Sequence, residues 1–232
     1  MANLVESMNK AIECNNIGVD LLRAGRLDEA IETFKGAAEV MYPVSRVLQL
    51  SQAYVFRPTQ PIQVDVRESE ILKKARSRLS SLCQSAASSS KLGCINCFIY
   101  VDPKKIEPMV CDPASCTLES ATVVYNMGLT YHLQGSAACL QKALCLFDMA
   151  FDLVSSADSY ASSSEIAMAA LNNAGEIHHA VGHYQLSRQY LNTLSAFILR
   201  LPNSECKKTR WERHQFLLNA MLLQEPRFAG AA

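Results

Sequence analysis

The chain has 232 residues, 49% of them hydrophobic, and its 22 basic residues balance 22 acidic ones, so the formal net charge is zero. This length is enough to bury a core in one domain or one elongated array, and the charge balance gives no electrostatic reason to expect nucleic acid as a partner. No run approaches the roughly eighteen continuous apolar residues of a membrane span. The polar N-terminus does not resemble a signal peptide, and nine scattered cysteines indicate reduced thiols. We therefore expect a cytoplasmic or nuclear protein that is not secreted.

The first predicted elements are two helices joined by a tight turn. Gly18 follows Asn16-Ile17 inside the first helix, Gly25 stands where the chain reverses, and acidic residues at 28 and 29 open the second helix, where they complement the helix dipole. A glycine inside a helix costs about 1 kcal/mol relative to alanine, so Gly18 indicates a close helix contact. Gly25 is expected to adopt the left-handed conformation of a helix C-terminal cap.

The same pattern returns twice. Asn126-Met127-Gly128 precedes Gly135, and Asn173-Ala174-Gly175 precedes Gly182, each with the spacing of the first copy. We expect the second residue of each triplet to face the core together with its glycine. Small residues follow on the second helices, namely Ala30, Ala143 and Ser187. Because Ala143 comes three residues later than its equivalents, we expect a longer turn near 136–138.

These three copies resemble the tetratricopeptide repeat, a helix–turn–helix unit of about 34 residues. The resemblance covers about 11–42, 120–154 and 168–202. It implies an all-α fold, an alpha-alpha superhelix in which helix pairs stack as one array over 1–225. We expect the tail at 226–232 to be frayed. In such arrays the first helix of each pair lines a concave face.

A long insertion separates the first repeat from the second. Its expected limits are near 53 and 116, and it contains two runs typical of strands, 62–66 and 97–101, which we expect to pair as a small β-hairpin. A short helix is expected between them, over 68–82. After the third repeat, 205–224 is predicted to be a capping helix whose apolar side includes Trp211, Phe216, Leu217, Ala220, Met221 and Leu223, with a polar outer face.

The three repeated asparagines are the main candidate binding residues. An Asn amide offers both donors and an acceptor, so a row of them on the concave face could hold the N–H and C=O groups of an extended peptide. The resemblance thus implies a protein-interaction scaffold or adaptor that binds a peptide or helix, with no cofactor. The candidate residues are Asn16, Asn126, Asn173, Asn172, Tyr125, Arg23 and Glu176. Two alternatives remain open: the asparagines tie one helix to the next, or the chain's own insertion fills the groove.

A second class of function rests on the cysteines. Cys94 and Cys97, followed by Cys111 and Cys116, have a spacing that could hold zinc, although the second pair is wider than usual. A zinc- or thiol-regulated protein is therefore the alternative hypothesis. No phosphate loop, nucleophile elbow or zinc-protease pattern occurs, so nothing in the sequence indicates an enzyme. The partner and the oligomeric state are left open.

Overall fold

The computed structural model describes residues 2–49, 98–108, 116–155, 160–201 and 207–224. Within these ranges there are seven helices and no strand, which confirms the all-α prediction for this part of the chain. The helices are α1 (Ala2–Arg23), α2 (Leu27–Gln49), α3 (Thr117–Gln134), α4 (Ala137–Ser155), α5 (Tyr160–Ala180), α6 (Tyr184–Arg200) and α7 (Lys207–Gln224).

The helices pack as three successive pairs, α1 with α2, α3 with α4 and α5 with α6, followed by α7. Each second helix also packs on the first helix of the next pair. The first helices meet one another as well, α1 with α3, α3 with α5 and α5 with α7. Helices α1, α3, α5 and α7 therefore share one side of the molecule, and this side carries the candidate site.

The glycines of the first helices are required by close packing. A Cβ added to Gly18 would lie 2.7 Å from Phe34, one added to Gly128 3.1 Å from Phe147, and one added to Gly175 2.9 Å from Leu191. All three neighbours are buried apolar side chains that cannot move without opening the core. The predicted close contacts between paired helices are confirmed.

The turn glycines have the expected backbone. Gly25, Gly135 and Gly182 have φ angles of 75°, 74° and 83°, a region that glycine enters without steric cost. The expected longer second turn is wrong, because α4 begins two residues after Gly135, as α2 does after Gly25. The three additional residues before Ala143 instead extend α4 at its start by nearly one helical turn.

Two expectations about side-chain orientation are also wrong. Ile17 is 48% exposed, so only Gly18 of that pair faces the core. On α7 the buried apolar residues are Phe216, Ala220 and Leu223, whereas Trp211 and Met221 are 45% and 68% exposed. The reason is that the inward side of α7 also carries polar residues, including Glu212 and Asn219, whose contacts are described below. The outer face is consequently less polar than expected for a cap.

The insertion is described only at 98–108. The 97–101 run forms no strand over its described residues, because its backbone is bonded to side chains of the helices instead of to a partner strand. The partner run at 62–66, the expected helix at 68–82 and the tail at 226–232 lie outside the described residues. Of the helices described, none combines the length and apolar character that crossing a bilayer requires.

The Gly18 contact predicts opposite effects for two glycine substitutions. Gly18→Ala would place a methyl group against Phe34 and should lower the free energy of unfolding by about 1–3 kcal/mol. Gly36→Ala, in α2, meets no atom within 4 Å and should raise it by up to about 1 kcal/mol through helix propensity. Urea denaturation of both variants measures the difference; equal effects would contradict the packing account.

His178 predicts acid sensitivity of the fold. The side chain is 3% exposed and stacks on Tyr190 with ring centroids 5.3 Å apart. Burial, and next to it the neighbouring His183, lowers the pKa of His178 to about 4. Between about pH 6.5 and 4, the imidazole of His178 therefore binds a proton in the unfolded chain but not in the folded chain. The free energy of unfolding falls as the pH drops through this range.

The His178 contribution should be about 1–3 kcal/mol, and His178→Leu should remove this part of the pH dependence while other groups keep theirs. Urea denaturation at pH 7, 5.5 and 4.5 measures it. If the free energy of unfolding falls as steeply with pH in His178→Leu as in the parent protein, His178 is not the group that causes the acid sensitivity.

Candidate functional site

An extended piece of the insertion, residues 98–108, lies across the side formed by α1, α3, α5 and α7. We call it the bound segment. Its residues contact these helices in reverse order: Tyr100 meets α5, Lys104 meets α3 and Ile106 meets α1. The segment thus runs opposite to the order in which the helices follow along the chain.

The three repeated asparagines each hold one residue of the bound segment by both backbone groups. We call them the asparagine ladder. Asn16 receives the Ile106 N–H at 2.9 Å and donates to the Ile106 carbonyl at 2.8 Å. Asn126 makes the same pair with Lys104, at 2.8 and 2.7 Å. Asn173 does so with Tyr100, at 2.8 and 3.0 Å. Each amide substitutes for a neighbouring β-strand.

Further amides extend the ladder at its Phe98 end and reinforce it at Lys104. Asn172 and Asn219 both donate to the Phe98 carbonyl, at 2.6 and 3.2 Å, and Asn219 also donates to Asn172. Near the other end Asn15 donates to the Lys104 carbonyl and accepts a bond from Asn126 at 2.9 Å. The bonds between asparagines orient the amide planes of the ladder residues.

The register follows from the geometry of an extended chain. The amides contact residues 98, 100, 104 and 106, all of even number, because backbone groups two residues apart point to the same side. Residue 102 also has an even number, but none of the described asparagine amides bonds to its backbone. Pro103, which has no N–H, falls at an odd position, and its carbonyl accepts a long bond of 3.4 Å from Arg23.

Burial makes these bonds energetically necessary. Asn126, Asn172 and Asn173 are 0% exposed, and a buried amide without a partner costs about 1–3 kcal/mol. The bound segment provides partners for all of them. The buried asparagine amides would therefore favour binding of any extended backbone along this path. A face with neither backbone nor water against these amides would be disfavoured.

Side chains of the bound segment enter an acidic pocket. The Tyr100 hydroxyl lies 2.7 Å from Glu165, 3.3 Å from Glu212 and 3.5 Å from Asp102. The Lys104 ammonium donates to Asp102 at 2.6 Å, to Glu165, and to the Tyr100 hydroxyl at 3.1 Å. The Tyr100 ring packs on Phe216 with centroids 4.9 Å apart.

The protonation states are set by this arrangement. Burial, followed by the charges of Glu165 and Asp102, raises the pKa of Tyr100 well above its ordinary value, so its hydroxyl keeps its proton and donates. For Lys104, burial opposes the charged form, but Asp102 and Glu165 outweigh it and raise the pKa. The ammonium therefore stays charged, and it is the cation of this pocket.

The predicted site residues, with one exception, contact the bound segment. Tyr125 is fully buried and donates to the Tyr100 carbonyl at 3.2 Å; Arg23 and Asn172 make the bonds given above. Glu176 does not contact the segment. Its carboxylate lies 2.9 Å from His132, both side chains being buried, so it joins α5 to α3 one helical turn below the ladder.

The predicted zinc ligands do not form a site among the described residues. Cys116 is buried in an apolar cluster with Met41 and Val123, while Cys94, Cys97 and Cys111 lie outside the described residues. Where side chains are described, one group could offer metal ligands: Asp102, Glu165 and Glu212, with oxygens within 4.8 Å of one another. The Lys104 ammonium already lies among these oxygens.

Several contacting residues were missed from the sequence. Asn219 lies after the three repeats and had no signal, whereas Asn15 was expected on the same face as Asn16, to which it donates as Asn172 does to Asn173. Glu165, Glu212, Tyr100 and Lys104 had no local signal, because they come from three distant parts of the chain.

Comparison of the chain with protein-family models, with curated proteins and with solved structures finds no match.

The pocket predicts unequal effects for two adjacent lysines. Lys104→Met removes the cation between Asp102 and Glu165 and should increase amide hydrogen exchange at Tyr100, Lys104 and Ile106 by about tenfold or more, since bonds to charged groups contribute about 1.5–3 kcal/mol. Lys105→Met removes an exposed ammonium that pairs with the exposed Asp20 and should change this exchange by less than about threefold.

Hydrogen exchange with mass spectrometry of the peptide covering 98–108 measures both variants. Equal exchange in Lys104→Met and the parent protein would contradict the assigned role of the pocket.

Proposed function

We propose that the chain is a tetratricopeptide-like protein-interaction scaffold whose asparagine ladder binds an extended peptide of a partner. In this proposal the bound segment is the intramolecular occupant, and a partner peptide takes its place. The protein would then be autoinhibited, with access to the ladder controlled by release of residues 98–108.

One observation carries the proposal: Asn16, Asn126 and Asn173 each pair with both the N–H and the C=O of a single residue. A structural role, tying one helix to the next, needs no such pairing with a separate extended strand. Backbone groups are common to all peptides, so the ladder supplies affinity, while the acidic pocket distinguishes side chains.

Competition with the bound segment sets the affinity that a partner needs. A tethered segment acts at an effective concentration in the millimolar range for short flexible linkers, and Pro108 is only nine residues from Thr117 at the start of α3. A partner peptide must therefore have a much higher affinity for the ladder than the untethered segment has. Otherwise it can bind only where the segment's own contacts with the ladder have been weakened.

The zinc- or thiol-based alternative stays a prediction. Of its four cysteines the described one, Cys116, is packed among apolar side chains, which favours a core role. No observation on the described residues supports the alternative over the ladder.

The test uses the full chain with a weakened bound segment. Tyr100→Ala combined with Lys104→Ala, the released variant, removes both pocket side chains but leaves the ladder intact. A fluorescein-labelled peptide of residues 97–109 should bind this variant at least about tenfold more tightly than it binds the parent protein, because the tethered competitor is weaker. Fluorescence anisotropy measures the affinity, and circular dichroism verifies helicity.

Two asparagine substitutions in the released variant form the matched control. Asn126→Ala removes a ladder amide and should weaken peptide binding by about tenfold or more. Asn192→Ala removes an amide exposed on α6, away from the segment, and should leave binding unchanged. If the peptide binds neither protein, or if both substitutions have the same effect, the proposed function is wrong.

A further inference from the structure

The contacts of the bound segment define a pattern that a ligand of the ladder must meet. Ile99 is 4% exposed, and Phe98 and Tyr100 pack against the main core. Ile106 packs on a second cluster that includes Met8 and Ile12. The pattern is therefore an aromatic residue, a β-branched residue and a second aromatic residue, then an isoleucine six positions after the second aromatic. The N–H groups required are those at 100, 104 and 106.

The chain contains a second stretch with this pattern, displaced by 44 residues. Residues 54–62 read YVFRPTQPI, against FIYVDPKKI for 98–106. Tyr54, Val55, Phe56 and Ile62 stand where the bound segment has Phe98, Ile99, Tyr100 and Ile106. These four positions carry the same class of side chain in both stretches, whereas the buried Pro103 corresponds to Thr59.

The prolines of the second stretch give an independent match. The N–H groups that the ladder needs would come from Phe56, Gln60 and Ile62, and none of these is proline. Pro58 and Pro61 correspond to positions 102 and 105, neither of which bonds to a ladder amide. Proline within a strand is tolerated only where its missing N–H has no partner, and both prolines satisfy this condition.

We propose that residues 54–62 of the same chain are a second ligand of the asparagine ladder and compete with 98–106 for it. This inference rests on the proposed function, since it requires the ladder to accept another backbone. Residue 54 comes five residues after the end of α2, so the stretch belongs to the same insertion as 98–106.

Charge determines which of the two segments binds more tightly. Where the bound segment places Asp102 and Lys104 in the acidic pocket, the second stretch has Pro58 and Gln60, and Phe56 lacks the hydroxyl of Tyr100. At these three positions it has no cation to pair with Glu165, and its one basic residue, Arg57, stands at the position of Val101. The second ligand should bind about tenfold more weakly.

The first experiment compares labelled peptides on the released variant. Peptide 53–63 should bind more weakly than peptide 97–109 but measurably. A Gln60→Pro peptide, which loses a required N–H, should bind at least about tenfold more weakly than the parent peptide. A Pro61→Gln peptide should bind as the parent does. If peptide 97–109 binds and 53–63 does not, this inference fails while the proposed function stands; if neither binds, the proposed function itself fails.

The second experiment tests competition within the chain. In the released variant, Phe56→Asp with Ile62→Asp removes two of the matched side chains, and Pro61→Asp is the control at an uncontacted position. The double substitution should strengthen binding of peptide 97–109 by about tenfold, because the remaining tethered competitor is lost; the control should not.

Two results would overturn the same-chain competition. Equal affinities in the double substitution and the control would show that residues 54–62 do not occupy the ladder. Sedimentation should show a monomeric released variant. A dimer that Phe56→Asp dissociates would place the stretch on a second copy instead.

Discussion

The pairing of a buried asparagine amide with one extended residue is the interaction on which this structure depends. Amides on three different helices adopt the same geometry toward Tyr100, Lys104 and Ile106. Because the amides are buried, they need partners of their own, and because the segment has no neighbouring strand, its backbone needs them equally. The asparagine amides of the helices and the backbone groups of the segment therefore provide each other's hydrogen-bond partners, and each would lack these partners without the other.

The repeated small residues make this arrangement possible. Gly18, Gly128 and Gly175 let each first helix approach its partner within contact distance of Phe34, Phe147 and Leu191, and each ladder asparagine lies two residues before one of these glycines. The glycine fixes the rotation of the helix against its neighbour, so the asparagine is presented at the same angle each time. Packing on one side of the helix thereby determines binding on the other.

The acidic pocket adds selectivity to a contact that the backbone alone would make indiscriminate. The ladder reads groups present in every peptide, whereas Glu165 and Glu212 approach a particular hydroxyl and, through Glu165, a particular ammonium. Under the proposed function, this division between affinity and selectivity allows two segments of one chain to be compared as ligands. They share the backbone requirements and differ in the charged ones.

The sequence by itself determined the helix pairs, their close contacts and the left-handed turns, because glycine spacing reports local backbone geometry and contacts between neighbours in the chain. It also indicated the three ladder asparagines. Only the tertiary structure decided what they bind, since the distance in sequence between Asn16 and Ile106 leaves no local trace. The strand expected at 97–101 does not form over its described residues, because their backbone bonds to side chains of the helices. The additional turn of α4 and the inward Glu212 and Asn219 on α7 likewise depend on packing, which periodicity does not encode.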